Sequence, residues 1–152
     1  MAMHADGFSE ITARLHREIP LTGAMGVEVT GWDGKRVTLR SPLGPNVNDK
    51  ATAFGGSIAA LSILAGYTLL YLWLQERGMP AHVLIQKSAV EFLRPIDGEF
   101  TAVAVLPGDR EVEGILEMLR EKRRGRLGVE SQVLAGETVA AVHSGVYVAI
   151  LR

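Results

Sequence analysis

The chain has 152 residues, a formal net charge of −1 and no cysteine. That length supports one domain with a core that needs no covalent staple. The missing cysteine excludes disulfides, thiolate metal sites and a cysteine nucleophile, and the near-neutral charge offers no general attraction to nucleic acid or acidic surfaces.

The start, "MAMHADGFSE", has no basic stretch followed by an apolar one, so no secretory signal is read and a cytoplasmic location is expected. Phe8, Ile11 and Leu15 recur at helical spacing, and Pro20 is expected to close a short amphipathic helix. In "MGVEVTGWDGKRVTLRSPL", Asp33-Gly34 between β-prone runs predicts a hairpin turn. Val37 and Leu39 there alternate with Arg36, Thr38 and Arg40. From Ala51 to Gln75 the chain carries no charge at all. After Pro80, "HVLIQKSAVEFLRP" and "GEFTAVAVLP" read as strands, the second entered from an Asp97-Gly98 turn. A helix is predicted near 110–122, where Val112, Ile115, Leu116 and Leu119 hold helical spacing and Asp109 is the expected N-cap. Two strands finish the chain, "RLGVESQVLAG" and "ETVAAVHSGVYVAILR"; in the last, Val142, Val146, Val148 and Ile150 share one face, His143 and Tyr147 the other. The order predicts an α+β fold with an antiparallel sheet, a single domain over 1–152.

The charge-free segment has three readings. As a membrane span it is long enough, but Gly55, Gly56, Ser57, Ser62, Gly66 and Thr68 dilute it, and Lys50 and Arg77 are lone flanking cations. No membrane partner is therefore expected. As a nucleophile elbow, Gly55-Gly56-Ser57-Ile58-Ala59 fits G-x-S-x-A, yet the turn-rich "PLGPNVNDKATAF" before it is not the strand that motif needs. As a buried helix it is coherent. Gly55, Ala59, Ser62 and Gly66 form a ridge of small residues that strands can approach, while Ile58, Leu61, Leu64, Leu69 and Leu72 supply bulk. Part of such a surface is expected to need a second subunit.

"PLGPNVNDKATAFGGSIAALSILAG" carries a resemblance. It is similar to hotdog-fold acyl-thioesterases, in one branch of which loop and helix read N-x-x-G-x-x-H-G-G with a carboxylate seven residues beyond the second glycine. On this chain Asn48 takes the asparagine position and Gly55-Gly56 the double glycine, with Ala51, Phe54 and Ile63 standing where glycine, histidine and carboxylate stand there. The P-x-x-P-N-x-N and T-A-F-G-G-S pattern more closely resembles the YiiD C-terminal domain family of thioesterases, and "FLRPIDGEFTAVAV" and the Arg126 strand follow suit. The resemblance implies a hotdog fold: a long central apolar helix wrapped by a curved antiparallel sheet of five to six strands, with a short N-terminal helix and one near 110–122. It also implies a homodimer or dimer of dimers, with sites at the subunit interface.

Hydrolysis of an acyl thioester needs a polarised carbonyl and an activated water. The amides of Gly55 and Gly56, at the helix N-terminus and free of side-chain bulk, are the expected oxyanion donors. Asn48 is the candidate to position carbonyl or water, and Asp49 the candidate general base. Asn46, Phe54, Ser57 and Ser62 are candidate substrate contacts, with local alternatives: Asn46 turning the loop, Ser57 capping free amides, Ser62 in the small-residue ridge. Gly125-Arg126 opens a strand where related enzymes often carry a Gly-Arg pair, so Arg126 is the candidate contact for coenzyme A phosphate. The expected substrate is an acyl-CoA or an acyl-carrier protein, with no cofactor beyond the substrate's own carrier. His4, His16, His82 and His143 have no ligand spacing, so no metal is expected, and no nucleic-acid partner follows from the one basic run, "LREKRRGRL". A hydroxyacyl dehydratase would need a histidine that residues 46–78 lack. The competing class is a silent acyl-thioester binding module, which Ile63 at the acid position favours.

Overall fold

Helix, hairpin, long helix and strands follow one another in the computed structural model in the order the sequence predicts. It describes residues 5–152; His4 lies outside them. The first helix, α1 (Ala5–Glu18), buries Leu15 and packs Phe8 and Ile11 against the core. Pro20 does more than stop it. It stands at the first position of a second helix, α2 (Pro20–Ala24), where its fixed φ suits a helix and its missing N–H loses no partner.

The hairpin of β1 (Glu28–Trp32) and β2 (Arg36–Ser41) turns at Asp33-Gly34. The Asp33 carboxylate accepts the amide protons of Lys35 and Arg36 at 2.9 and 2.8 Å, and Gly34 takes φ 94°, which only glycine adopts freely. Those two amides hold the Asp33 carboxyl below its ordinary pKa.

The charge-free run becomes α3 (Gly55–Glu76), 22 residues long. The remaining elements are β3 (Ala81–Phe92), β4 (Phe100–Val105), α4 (Asp109–Lys122), β5 (Arg124–Ala135) and β6 (Thr138–Leu151). All six strands pair antiparallel in the order β1-β2-β4-β5-β6-β3. The predicted cap of α4 is corrected by one residue: extended Gly108 is the N-cap, and Asp109 is the first helical residue, its charge still at the positive end of the dipole.

Alternate positions of the strands face α3: Val37 and Leu39, then Phe100, Ala102 and Ala104, then Leu127, Val129 and Val133, then Ala141, Tyr147 and Ala149. Many are alanine, which lets the backbone of α3 lie close to the sheet. The ridge of small residues does the same from the helix side. At Gly66 a Cβ would collide with the Tyr147 ring, whose hydroxyl donates to the Ile63 carbonyl at 2.9 Å. The far end of α3 is pinned by Trp32 Nε1, which donates to the Glu76 carboxylate at 2.7 Å. Its outer flank is covered from α1, where the Arg14 guanidinium lies 3.7 Å over the Tyr71 ring.

One edge of the sheet stays open. β3 runs 12 residues with only Ala81 buried, and Leu84, Ile85 and Phe92 are exposed along it. The bulge at Gln86 switches which residues face α3. Ile85 pairs with inward Tyr147, but after the extra residue Lys87 pairs with outward Val146 and Ser88 with inward Gly145. From there Ser88, Val90 and Phe92 share the inner face.

Two glycine-to-alanine changes on helices are expected to have opposite signs. Gly66→Ala should destabilise by about 1–3 kcal/mol, because the buried Tyr147 ring must move. Gly114→Ala in α4, where a Cβ meets nothing within 4 Å, should stabilise by roughly 0.5–1 kcal/mol. Urea denaturation midpoints of the two variants check this.

Candidate active site

The loop from Pro42 to Phe54 is built by its asparagines. Asn46 is buried, and its side-chain amide donates to the carbonyls of Met25 and Pro42 at 2.9 and 2.8 Å. Its own carbonyl accepts the Phe54 amide at 2.7 Å. Asn48 closes the next turn on itself: its Oδ1 accepts from Lys50 and Thr52 amides at 2.8 and 3.1 Å, and its Nδ2 donates to Thr52 Oγ1 at 2.8 Å. Inside that turn Ala51 takes φ 64°. The left-handed conformation explains why the related motif carries glycine there; alanine occupies it at a steric cost.

The loop delivers the chain to α3 in extended geometry, with Phe54 as an N-cap whose side chain caps nothing. Ser57 and Ile58 amides reach back to the Phe54 carbonyl at 3.0 and 3.1 Å. The amides of Gly55 and Gly56 find no acceptor among the described residues. No acid stands in the first turn to neutralise the dipole. Two aromatic rings border these donors. Phe54 folds over Gly56, where a Cβ would collide with it, and Phe92 from β3 lies 3.5 Å from where a Gly55 Cβ would be. Both rings are more than half exposed, at 57% and 56%. Beside them a cleft of about 300 Å³ runs between α2 and the first turns of α3, lined by Leu21, Met25, Asn46, Phe54, Gly56 and Ala60. The arrangement offers two unpaired donors in an apolar surround, which is what a developing oxyanion requires.

The other sequence candidates divide. Asn46, Phe54 and Ser57 meet at this cleft. Asn48 lies one turn away with its side chain spent on the loop. Asp49 projects into solvent, 82% exposed, 3.2 Å from Lys50. Ser62 is buried and returns its hydroxyl to the Ile58 carbonyl at 2.9 Å. Arg126 is exposed with Gln86 at 3.4 Å. It pairs with Val148, whereas Phe92 pairs with Ala141; seven residues of β6 separate them by about 23 Å.

Sequence reasoning did not single out Ser88 or Ser131. Ser88 Oγ stands 2.8 Å from His143 Nε2, His143 Nδ1 3.3 Å from Ser131 Oγ, and Ser131 Oγ 3.3 Å from the Ser62 carbonyl. His143 and Ser131 are buried at 1% and 3%. The alternation of β6 already sets His143 beside Tyr147 on one face, and that of β5 could have found Ser131; Ser88 is hidden by the bulge.

A curved antiparallel sheet wrapped on one long apolar helix, its N-terminal amides open beside the loop, defines a hotdog-fold protein. The chain belongs to the YiiD C-terminal domain family, described as "Putative thioesterase (yiiD_Cterm)", which it matches over residues 8–151. Among solved structures, a protein of unknown function from Chlorobaculum tepidum TLS superposes with a TM-score of 0.87 at 24% identity, covering 95% of this chain and 94% of that one. A "putative thioesterase" from Shewanella oneidensis gives 0.85 at 20% identity, covering 94% and 96%. A thioesterase from Haemophilus influenzae gives 0.72 at 14%, covering 95% and 90%. The segment that composition alone would allow to cross a membrane is the buried core helix of this fold.

Burial lowers the His143 pKa below the ordinary 6.5, with the Glu130 carboxylate pulling weakly the other way. The unfolded chain then binds a proton that the folded chain refuses. Stability should be flat above about pH 6.5 and fall as pH drops below it toward the folded-state pKa. Urea midpoints between about pH 7.5 and 5.5 measure the slope, and His143→Gln should flatten that part of it.

Proposed function

We infer that the protein hydrolyses acyl thioesters carried on coenzyme A or on an acyl-carrier protein, at a site completed by a second copy of the chain. The observation that carries this is the pair of unpaired amides on Gly55 and Gly56, set between two exposed aromatic rings. The thioester carbonyl accepts from both amides, and its charge is stabilised as water adds. Phe54 and Phe92 shield that charge from solvent, which strengthens the hydrogen bonds. The cleft beneath α2 is of a size to receive part of the acyl group or the pantetheine arm.

Support for the second copy comes from β3. A 12-residue edge exposing Leu84, Ile85 and Phe92 is an open template for another strand, and soluble proteins cover such edges. Pairing of two copies along β3 would give a homodimer, and a dimer of dimers if the outer sheet face is used as well. Arg126 fits a phosphate contact at the far end of the sheet, and Asn48 serves by fixing the loop that presents the amides. No cofactor is needed beyond the substrate's carrier, and the reaction suits a cytoplasmic enzyme. One observation favours the alternative, a silent acyl-thioester binding module: α3 holds no acid before Glu76, and Asp49 is solvated beside Lys50.

Gly55 is the first residue of α3 and follows an extended Phe54, so proline fits there and deletes the N–H alone. Gly55→Pro should lower thiol release from a panel of acyl-CoAs by about 10²–10³-fold, and Gly55→Ala by far less. A binding module shows no release from any member and saturable binding of at least one.

Equilibrium sedimentation should give about twice 16.4 kDa or a larger even multiple. A double change of Leu84→Glu and Ala89→Glu, both exposed on the outer face of β3, should yield folded monomer without turnover; a wild-type monomer with full activity would overturn the two-chain site.

A further inference from the structure

His143 is a buried titratable group that the reading above leaves idle. Its hydrogen-bond chain has a direction. Ser131 has one hydroxyl proton and gives it to the Ser62 carbonyl, so its oxygen is left to accept from His143 Nδ1–H. That tautomer leaves Nε2 bare, and the Ser88 hydroxyl donates to it at 2.8 Å. The inner end of the chain is sealed against the α3 backbone. The outer end, Ser88, is exposed on the inner face of the edge strand, four residues from the Phe92 that borders Gly55. A hydroxyl bonded to a base, with the base oriented by a third group, is the arrangement that moves protons in hydrolases.

We propose that Ser88 is a catalytic residue, hydrogen-bonded to the attacking water, and that His143 acts through it as the proton acceptor that α3 lacks; this rests on the hydrolase reading above. As the water oxygen bonds to the carbonyl carbon, one water proton passes to Ser88 Oγ and the Ser88 proton passes to His143 Nε2. The carbonyl π pair moves to the oxygen held by the Gly55 and Gly56 amides. When the carbonyl re-forms, the C–S bond breaks, and imidazolium returns its proton through Ser88 to the leaving thiolate. Acid and thiol result, with no other reactant. Burial keeps His143 neutral at neutral pH and ready to accept. The groups facing it are the Ser88 and Ser131 hydroxyls and the Tyr147 ring, with the Glu130 carboxylate the charge acting on it. Lys87 beside Ser88 points to the other face, and the one charged residue of α3, Glu76, is its last and is bonded to Trp32.

Two rulers separate this pair from the amides of its own chain. Four residues of β3 span about 13 Å, and the seven from Gly55 to Ser62 along α3 rise about 10 Å. One carbonyl does not span both, so the relay requires each chain's Ser88–His143 pair to serve the glycine amides of the partner.

The experiment is thiol release from acyl-CoAs by the purified dimer. Ser88→Ala should lower kcat by about 10²-fold or more, with an unchanged melting temperature, and Ser88→Thr should recover most of the rate. His143→Gln should abolish the acid limb of the kcat/KM profile, which in the wild type lies below the ordinary histidine value. A differentially tagged heterodimer of Ser88→Ala with Gly55→Pro should regain about half the wild-type rate, since one of its two sites is whole. Turnover by Ser88→Ala equal to wild type overturns the relay and leaves the hydrolase reading standing. A heterodimer as dead as its parents overturns the crossed arrangement, and with it the relay. Absence of release by the wild type itself overturns both readings.

Discussion

A helix without a charge until its last residue, Glu76, has to be buried nearly all round, yet its first turn has to stay open. The rest of the molecule answers those two demands. The sheet curls around α3 and presents alanine and glycine where the helix is closest, so dispersion contacts form at backbone distance rather than through long side chains. Tyr147 is the exception that sets the register. Its ring takes the space left by Gly66 and its hydroxyl takes up a helix carbonyl, so a large polar group is buried without an unpaired atom. At the other end the asparagine-built loop arrives extended and contributes no capping side chain, which is why two amides are left for something else.

The same geometry decides what the edge strand does. Without its bulge, β3 would turn Lys87 and Ala89 toward α3 and Ser88 to the outer face. The extra residue at Gln86 reverses that half of the strand. Phe92 is thereby set against Gly55 and Ser88 against His143, so one irregularity places both a wall of the amide site and the outer end of the hydroxyl chain. Gly145 makes room for the second: a Cβ there would stand 2.8 Å from both the His143 and Tyr147 rings.

The parts of this fold that obey a period were legible in the sequence. The small-residue ridge of α3, the Asp33-Gly34 turn and the alternating strands each follow a simple spacing, and the Gly55-Gly56 pair of the motif falls at the start of α3. What resisted were features set by tertiary contact. Asp49 has the right chemistry for a base but is solvated, because its loop folds outward over Asn48. Asn48 holds the motif position and spends it on its own turn. Ser88 was invisible because a bulge breaks the two-residue period, and nothing in "LIQKSAVEF" announces where the extra residue falls. Pro20 also opens α2, because a proline starts a helix as readily as it ends one, and the Asp109 cap missed by one residue because an extended glycine can hold that position.

Ile63 at the usual acid position bears on why a histidine suits this site. Ile63 itself is only half-buried, whereas a base placed where His143 stands lies inside the core, and there desolvation would push a carboxylate toward the protonated form, which is useless as a base. Imidazole responds to the same surroundings in the opposite sense. Burial lowers its pKa, and the neutral form that burial favours is the form that accepts a proton. The hydroxyls on either side suit this further. Neither Ser88 nor Ser131 carries a charge, so both nitrogens of the buried His143 are hydrogen-bonded without an ion pair to desolvate. In the proposed relay the imidazolium would appear only while an oxyanion is held at the α3 amides, and the two charges would offset each other until thiolate departs. An apolar core helix thus favours a base that is neutral at rest, and His143 is the buried side chain of that kind facing α3.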